Sequence, residues 1–241
     1  MADRKVDGEA SKRLEALADA FELLRVATSF PQEPLARAVS DGALAADARG
    51  CLEDCGVDPD GLSVACASWE ALRGSEPGGL WASMRRGHSL LHLRQGSGVA
   101  VWPYESAFVH ARTGKRGEPA LFRTHVTLAV ETCMREAGVL PADRLTEPCD
   151  SVWDECSFVS YLLAGELEAL AQGDAARAGL CRTRLQAFVR EHVLVWFPGY
   201  FDEVRGAVVR LGMEEPAASY YRGLAAFGCQ AVELLAGPGG A

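Results

Sequence analysis

The sequence predicts an all-α fold, one bundle-like domain of about ten helices, on three observations. Apolar residues recur at spacings of three and four along most of the chain. A stretch that alternates like a strand occurs once, Gly98 to Tyr104, and Pro103 makes it a poor sheet member. A chain of 241 residues with 49% apolar content can bury one large core, or two small ones, without disulfides or metal.

Each helix follows from its stripe. Leu14, Leu17, Phe21 and Leu24 form the first, which stops near Phe30-Pro31. Pro34 opens a short second helix through Val39, and a third covers Ala43 to Cys55. Leu62, Ala65, Trp69 and Leu72 lie on the next, which ends at the glycine and proline cluster Gly74 to Gly79. Leu80, Met84 and Leu91 continue beyond it. In the second half Phe122, Val126, Ala129, Cys133 and Ala137 step together, then Val152, Cys156, Val159, Leu163, Leu167 and Leu170. Cys181, Leu185, Phe188 and His192 follow, and Pro198 is expected to end that helix. Phe197, Phe201, Val204, Val208 and Leu211, and finally Tyr220, Leu224, Phe227, Ala231 and Leu234, complete the set. Each stripe requires a helical partner. The expected organisation is a single domain over 1–236 with a hinge at 138–150 and a frayed tail at 237–241. The connections Arg94 to Pro103 and Gly138 to Asp150 are long enough to suggest function.

Composition narrows the function. No uncharged apolar run approaches the roughly 18–20 residues of a membrane span. The charged start, Met1 to Lys12, lacks the apolar core of a secretory signal, so the chain is expected in the cytoplasm with its eight cysteines reduced. With 33 acidic against 24 basic residues, the net charge of −9 disfavours nucleic acid and anionic lipid and suits a basic partner.

Three constellations carry possible chemistry. Trp102-Pro103-Tyr104-Glu105-Ser106 joins rigid aromatics to an extended backbone able to line a groove, or else fills the core at a helix start. Glu147-Pro148-Cys149-Asp150-Ser151-Val152-Trp153-Asp154-Glu155 places four carboxylates at the start of a helix. Capping by Asp150 or Ser151 explains part of it, and gripping paired arginines explains Glu147 as well. Phe188, His192, Trp196, Pro198, Tyr200 and Phe201 gather at a helix corner, where aromatics usually form core.

Catalytic patterns fail on spacing. His88 and His92 stand at i and i+4, but Ser89 replaces the glutamate of a zinc-protease helix. Thr113-Gly114-Lys115-Arg116 lacks the first glycine and the final hydroxyl of a phosphate loop. Ser106 is not in a nucleophile elbow. No enzyme is expected and no cofactor, the alternative being a helical metal-binding protein or enzyme using His88, His92 and cysteines.

In order and spacing these three constellations resemble the TorD/DmsD/NarJ family of redox-enzyme maturation chaperones. That family carries a P-Y-E-S-like element, then E-P-x-D-H leading into E-x-x-F, then F-x-x-x-H-x-x-x-W-x-P-x-F. Here they read Pro103-Tyr104-Glu105-Ser106, then Glu147-Pro148-Cys149-Asp150-Ser151 with Glu155 and Phe158, then Phe188, His192, Trp196, Pro198 and Tyr200. Ser151 stands where the family has histidine, and His88 to His92 matches the family's stretch before the first loop only weakly. The resemblance implies a TorD/DmsD-like helical fold and a non-enzymatic chaperone that holds an apo molybdoenzyme subunit, binding its twin-arginine signal peptide before export. It also implies a monomer or a dimer that exchanges helices. The residues it assigns to peptide binding are Trp102, Pro103, Tyr104, Glu105, Ser106, Glu147, Pro148, Asp150, Ser151, Glu155, Phe158, His192 and Trp196.

Overall fold

A computed structural model describes residues 2–93, 98–113, 117–139 and 147–237, with side chains from residue 8 onward. Parts of both long connections, of the hinge at 138–150, of Thr113 to Arg116 and of the tail lie outside the described residues.

Among the described residues the chain forms eleven α-helices and one π-helical turn. They are α1 (Ala2–Thr28), α2 (Glu33–Asp41), α3 (Ala43–Asp54), α4 (Pro59–Glu70), α5 (Pro77–His92), α6 (Glu105–Arg112), α7 (His125–Glu136), α8 (Val152–Ala171), α9 (Ala175–Phe188), α10 (Leu194–Arg210) and α11 (Ala217–Ala236), with the π turn at Val189–Val193. No strand is present among them; Tyr104 and Ser151 make an isolated antiparallel bridge.

Local chemistry sets the helix starts. Asp58 accepts from the Gly61 N–H at 2.9 Å with Pro59 in the first turn of α4, and Thr124 accepts from Thr127 at 3.0 Å. Asp174 caps α9 through the Arg177 N–H at 2.9 Å. Glu76 accepts from the Gly78 and Gly79 N–H groups at the start of α5, which holds its carboxyl below the usual range.

The stripes then find their partners. Helix α1 lies along α8, α8 against α9, and α11 is wedged between α10 and α4. The buried apolar residues form one cluster running from Ala16 to Val232. The approach of α11 is close enough that a Cβ at Gly223 would overlap the Trp69 indole, and one at Gly228 the Phe201 ring. Trp69 completes that contact by donating to the Tyr220 carbonyl at 2.9 Å.

Three expectations are corrected. Pro198 does not end a helix: it lies within α10, exposed, five residues past the π turn. Its missing N–H frees only the Leu194 carbonyl, at the junction where the wider turn has already changed the hydrogen-bond register. The core face of α7 is Thr127, Val130 and Met134, while Phe122 and Ala129 are exposed. This helix packs mainly on the short α6, so apolar residues remain on its outer side. Near the end of α8, Leu170 is exposed and the buried positions are Ala169 and Glu166, whose carboxylate meets Arg182 of α9 at 2.5 Å. An ion pair to the neighbouring helix displaces the apolar stripe there.

Candidate functional site

The first two constellations meet backbone to backbone. The Glu105 N–H donates to the Asp150 carbonyl at 2.8 Å, and the Val152 N–H to the Pro103 carbonyl at 2.9 Å. This short ladder sets the N-termini of α6 and α8 side by side, so two sets of orphan N–H groups must be satisfied in one place. Ser151 caps its own helix, accepting from the Asp154 N–H at 3.1 Å while its hydroxyl donates to Asp154 Oδ2 at 2.8 Å. Asp150 caps the other: its Oδ2 accepts from the Ser106 N–H of α6 at 2.9 Å, across 44 residues of sequence.

Behind this ladder lies a sealed polar hub. Glu105 Oε2 meets His192 Nδ1 at 2.8 Å, both side chains buried. Burial alone would lower the imidazole, but bonds with the Cys133 thiol and the Glu105 carboxylate outweigh it and raise His192 to about 9, so the imidazole is charged at neutral pH. Trp196 donates from Nε1 to Glu155 Oε2 at 3.0 Å. Glu155 is pushed well above the carboxylate range, first by desolvation and then by the charge of Glu105. Its other oxygen, Oε1, has no hydrogen-bond partner among the described residues. Asp150 is likewise raised by burial, opposed by its bonds to Ser106.

The third constellation supplies this hub through the π turn. A wider i→i+5 turn keeps residues four apart near one face, so Phe188, His192 and Trp196 all point inward. Phe188 stands edge-on to Phe158 at 4.8 Å and packs on His192 at 5.0 Å; Trp196 packs on Phe108 at 5.8 Å. Elements far apart in sequence, α6, α7, α8, the π turn and α10, thus converge on one polar cluster.

The expected binding residues divide into two groups. Pro103, Glu105, Ser106, Pro148, Asp150, Ser151, Glu155, Phe158, His192 and Trp196 are buried. Trp102, Tyr104 and Glu147 remain partly accessible. The Tyr104 hydroxyl donates to Glu147 Oε1 at 2.9 Å, and its ring stands edge-on to Trp153 at 5.8 Å. Beside them Asp154 is raised to about 6 by burial, opposed by the Ser151 hydroxyl and raised further by Glu147 and Asp150. Arg25 of α1, itself bonded to Glu22, provides the counter-charge to Asp154. Trp153 and Asp154 belong to this rim; they stand in the second constellation read from the sequence but not among the residues assigned to peptide binding. Arg25 had none, because only the packing of α1 on α8 brings it there.

The family model for the nitrate reductase delta subunit matches residues 81–202, just over half of the chain, and contains every residue of the hub. The chain belongs to the nitrate reductase delta subunit family. No curated protein and no solved structure matches it. This is the NarJ/TorD type of redox-enzyme maturation chaperone, a family of chaperones rather than catalysts whose partner is a redox-enzyme subunit. The delta-family match begins in α5 and ends in α10, so it spans the joined helix starts and the π turn.

His88 and His92 of this delta-family chain are accounted for by packing. Their rings stand 4.7 Å apart, and His92 donates through Nδ1 to the Val101 carbonyl at 2.9 Å. Burial lowers both, His88 to about 3 and His92 to about 4, so both imidazoles are neutral. Among the described residues no three His, Cys, Asp or Glu side chains converge as a metal site. No described helix is long and apolar enough to cross a membrane.

Proposed function

We propose that this chain is a cytoplasmic chaperone for a molybdoenzyme or similar redox-enzyme subunit, binding its twin-arginine signal peptide and holding the apo subunit until cofactor insertion. In this reading it is not itself an enzyme, needs no cofactor, and does not bind nucleic acid. The observation that carries it is the rim of Trp102, Tyr104, Glu147, Trp153 and Asp154, which offers aromatic surface and carboxylates side by side. A signal peptide of this class joins an arginine pair to a moderately apolar segment and requires both. The raised Asp154 carboxyl supports the reading, since a guanidinium beside it would relieve the repulsion from Glu147 and Asp150. The buried hub fixes the two helix starts that present the rim, and its own residues contact a peptide only where the helix starts part. A single domain over 1–236 with a hinge at 138–150 belongs to the same proposal, and exchange of helices there would give a dimer.

Calorimetric titration with a synthetic twin-arginine peptide tests it. Each charge-assisted bond lost from a partly desolvated site costs about 1.5–3 kcal/mol, or roughly ten- to a hundredfold in affinity. Glu147→Lys with Asp154→Asn is expected to weaken binding by at least that single-bond amount while the helical dichroism is unchanged. A folded double variant that binds as well as the parent refutes the rim as the binding site.

A further inference from the structure

A second surface lies on the outward side of α5, and none of the rim residues lines it. Phe30, Arg85, Arg86, Ser89 and Leu90 surround an open cavity of about 440 Å³. Arg86 and Leu90 also border a neighbouring cavity of about 280 Å³, closed on its far side by Met213, Glu214 and Ala217. The two form one groove crossing from the end of α1 to the start of α11.

The charge of this groove runs against that of the chain. Ten arginines, at 25, 37, 49, 112, 135, 177, 182, 190, 205 and 222, each have a carboxylate within 4.0 Å. Arg85 and Arg86 have none among the described residues, as Arg13, Arg73, Arg123, Arg184 and Arg210 have none, but they are neighbours in sequence that line one cavity, in a protein of net charge −9. Arg85 is held by aromatic faces instead, its guanidinium 4.8 Å from the Phe30 centroid and 5.1 Å from that of Trp81. Phe30 stays 39% exposed although it is large and apolar. Two arginines without carboxylate partners therefore border an open cavity beside the exposed Phe30 ring.

We infer that this α5 groove is a docking surface for an acidic, amphipathic segment of a partner protein, apolar side chains seated against Phe30 and Leu90 and carboxylates over Arg85 and Arg86. Charge complementarity selects that occupant, and guanidinium–carboxylate pairing is strengthened beside apolar surface. Glu214 at the far end repels a carboxylate there, so the acidic end lies over α5 and the apolar end toward Met213. A groove crossing two cavities and open to solvent suits a polypeptide segment better than a compact ligand. The surface is independent of the rim, which is proposed for a basic peptide.

The test uses the full chain and two synthetic sixteen-residue helical probes: one carries leucine and phenylalanine on one face with glutamates at one end, the other has every glutamate replaced by lysine. Fluorescence anisotropy is expected to show the glutamate probe binding about tenfold tighter than its twin, with affinity falling as salt rises. Arg85→Glu with Arg86→Glu should remove that preference. Arg86→Glu alone, which leaves the Arg85 stack on Phe30 and Trp81 in place, should lose several-fold. Neither variant should change the affinity for the twin-arginine peptide by more than about twofold. Equal binding of the two probes, or full binding by the double variant, overturns the inference. So does a chain that self-associates through this groove, detected as a dimer in sedimentation that Arg86→Glu dissolves while the glutamate probe fails to compete. Loss of twin-arginine peptide binding in Arg86→Glu would also overturn it, by making the two surfaces one.

Discussion

Acidification should cost stability at two buried histidines, His88 and His92, and the size of the effect follows from their burial. His88 is 7% exposed, and neither of its ring nitrogens has a hydrogen-bond partner among the described residues. Burial, then the neighbouring His92, lowers it from 6.5 to about 3. A folded-state pKa below the unfolded one means that only the unfolded chain takes up the proton as pH falls through 6.5. Stability present above that pH is therefore lost below it. Between pH 7.5 and 5.5 the linkage amounts to roughly 1.4 kcal/mol for His88. His92, held at about 4, adds a similar loss, about 3 kcal/mol for the pair. His192 and Asp154 work the other way, because their folded-state pKa values are raised, but those contributions are common to parent and variant and cancel. In urea unfolding at the two pH values, His88→Leu should lose about 1.4 kcal/mol less than the parent on acidification, with an unchanged denaturant slope. If the variant loses as much as the parent, His88 is protonated in the folded state and the burial argument is wrong.

Further outcomes follow from the hub and its rim. The His192 imidazole, raised to about 9, contributes stability that is complete below pH 6.5 and lost as pH rises through 9. The whole shift corresponds to about 3 kcal/mol between pH 6 and 9.5, and because the Cys133 thiol shares in it, the stability gap between the parent and Glu105→Gln should narrow by only part of that amount in urea titrations. Trp196→Phe leaves Glu155 Oε2 without a donor and should cost about 1–3 kcal/mol, read as a lower urea midpoint. Binding of the twin-arginine peptide should weaken as pH falls below 6, where Asp154 takes up a proton, and Asp154→Asn should flatten that dependence in calorimetry. Cys149 and Cys156 are buried, with both thiols raised by desolvation. A thiol reagent at pH 8 should leave both unmodified until urea is added; rapid reaction of the folded chain would contradict their role as small apolar residues.

The helices were legible in the sequence because a 3.6-residue period is a local property. Leu17, Phe21 and Leu24, or Tyr220, Leu224 and Phe227, can face one partner only if the backbone between them is helical. The period failed where a neighbour decided the matter: Glu166 is buried by Arg182 of another helix, and α7 turns a different face to the short α6. The family was legible too, because the three constellations keep their order and spacing along the chain, and the delta-subunit match covers all three. What those residues do for one another was decided by tertiary structure alone. Asp150 reads as the cap of the helix it precedes, yet it caps α6, and Glu105 finds His192 across 87 residues. Capping donors, counter-charges and desolvation are set by whichever helix ends the fold brings together, and a carboxylate's neighbours in sequence carry no record of its neighbours in space.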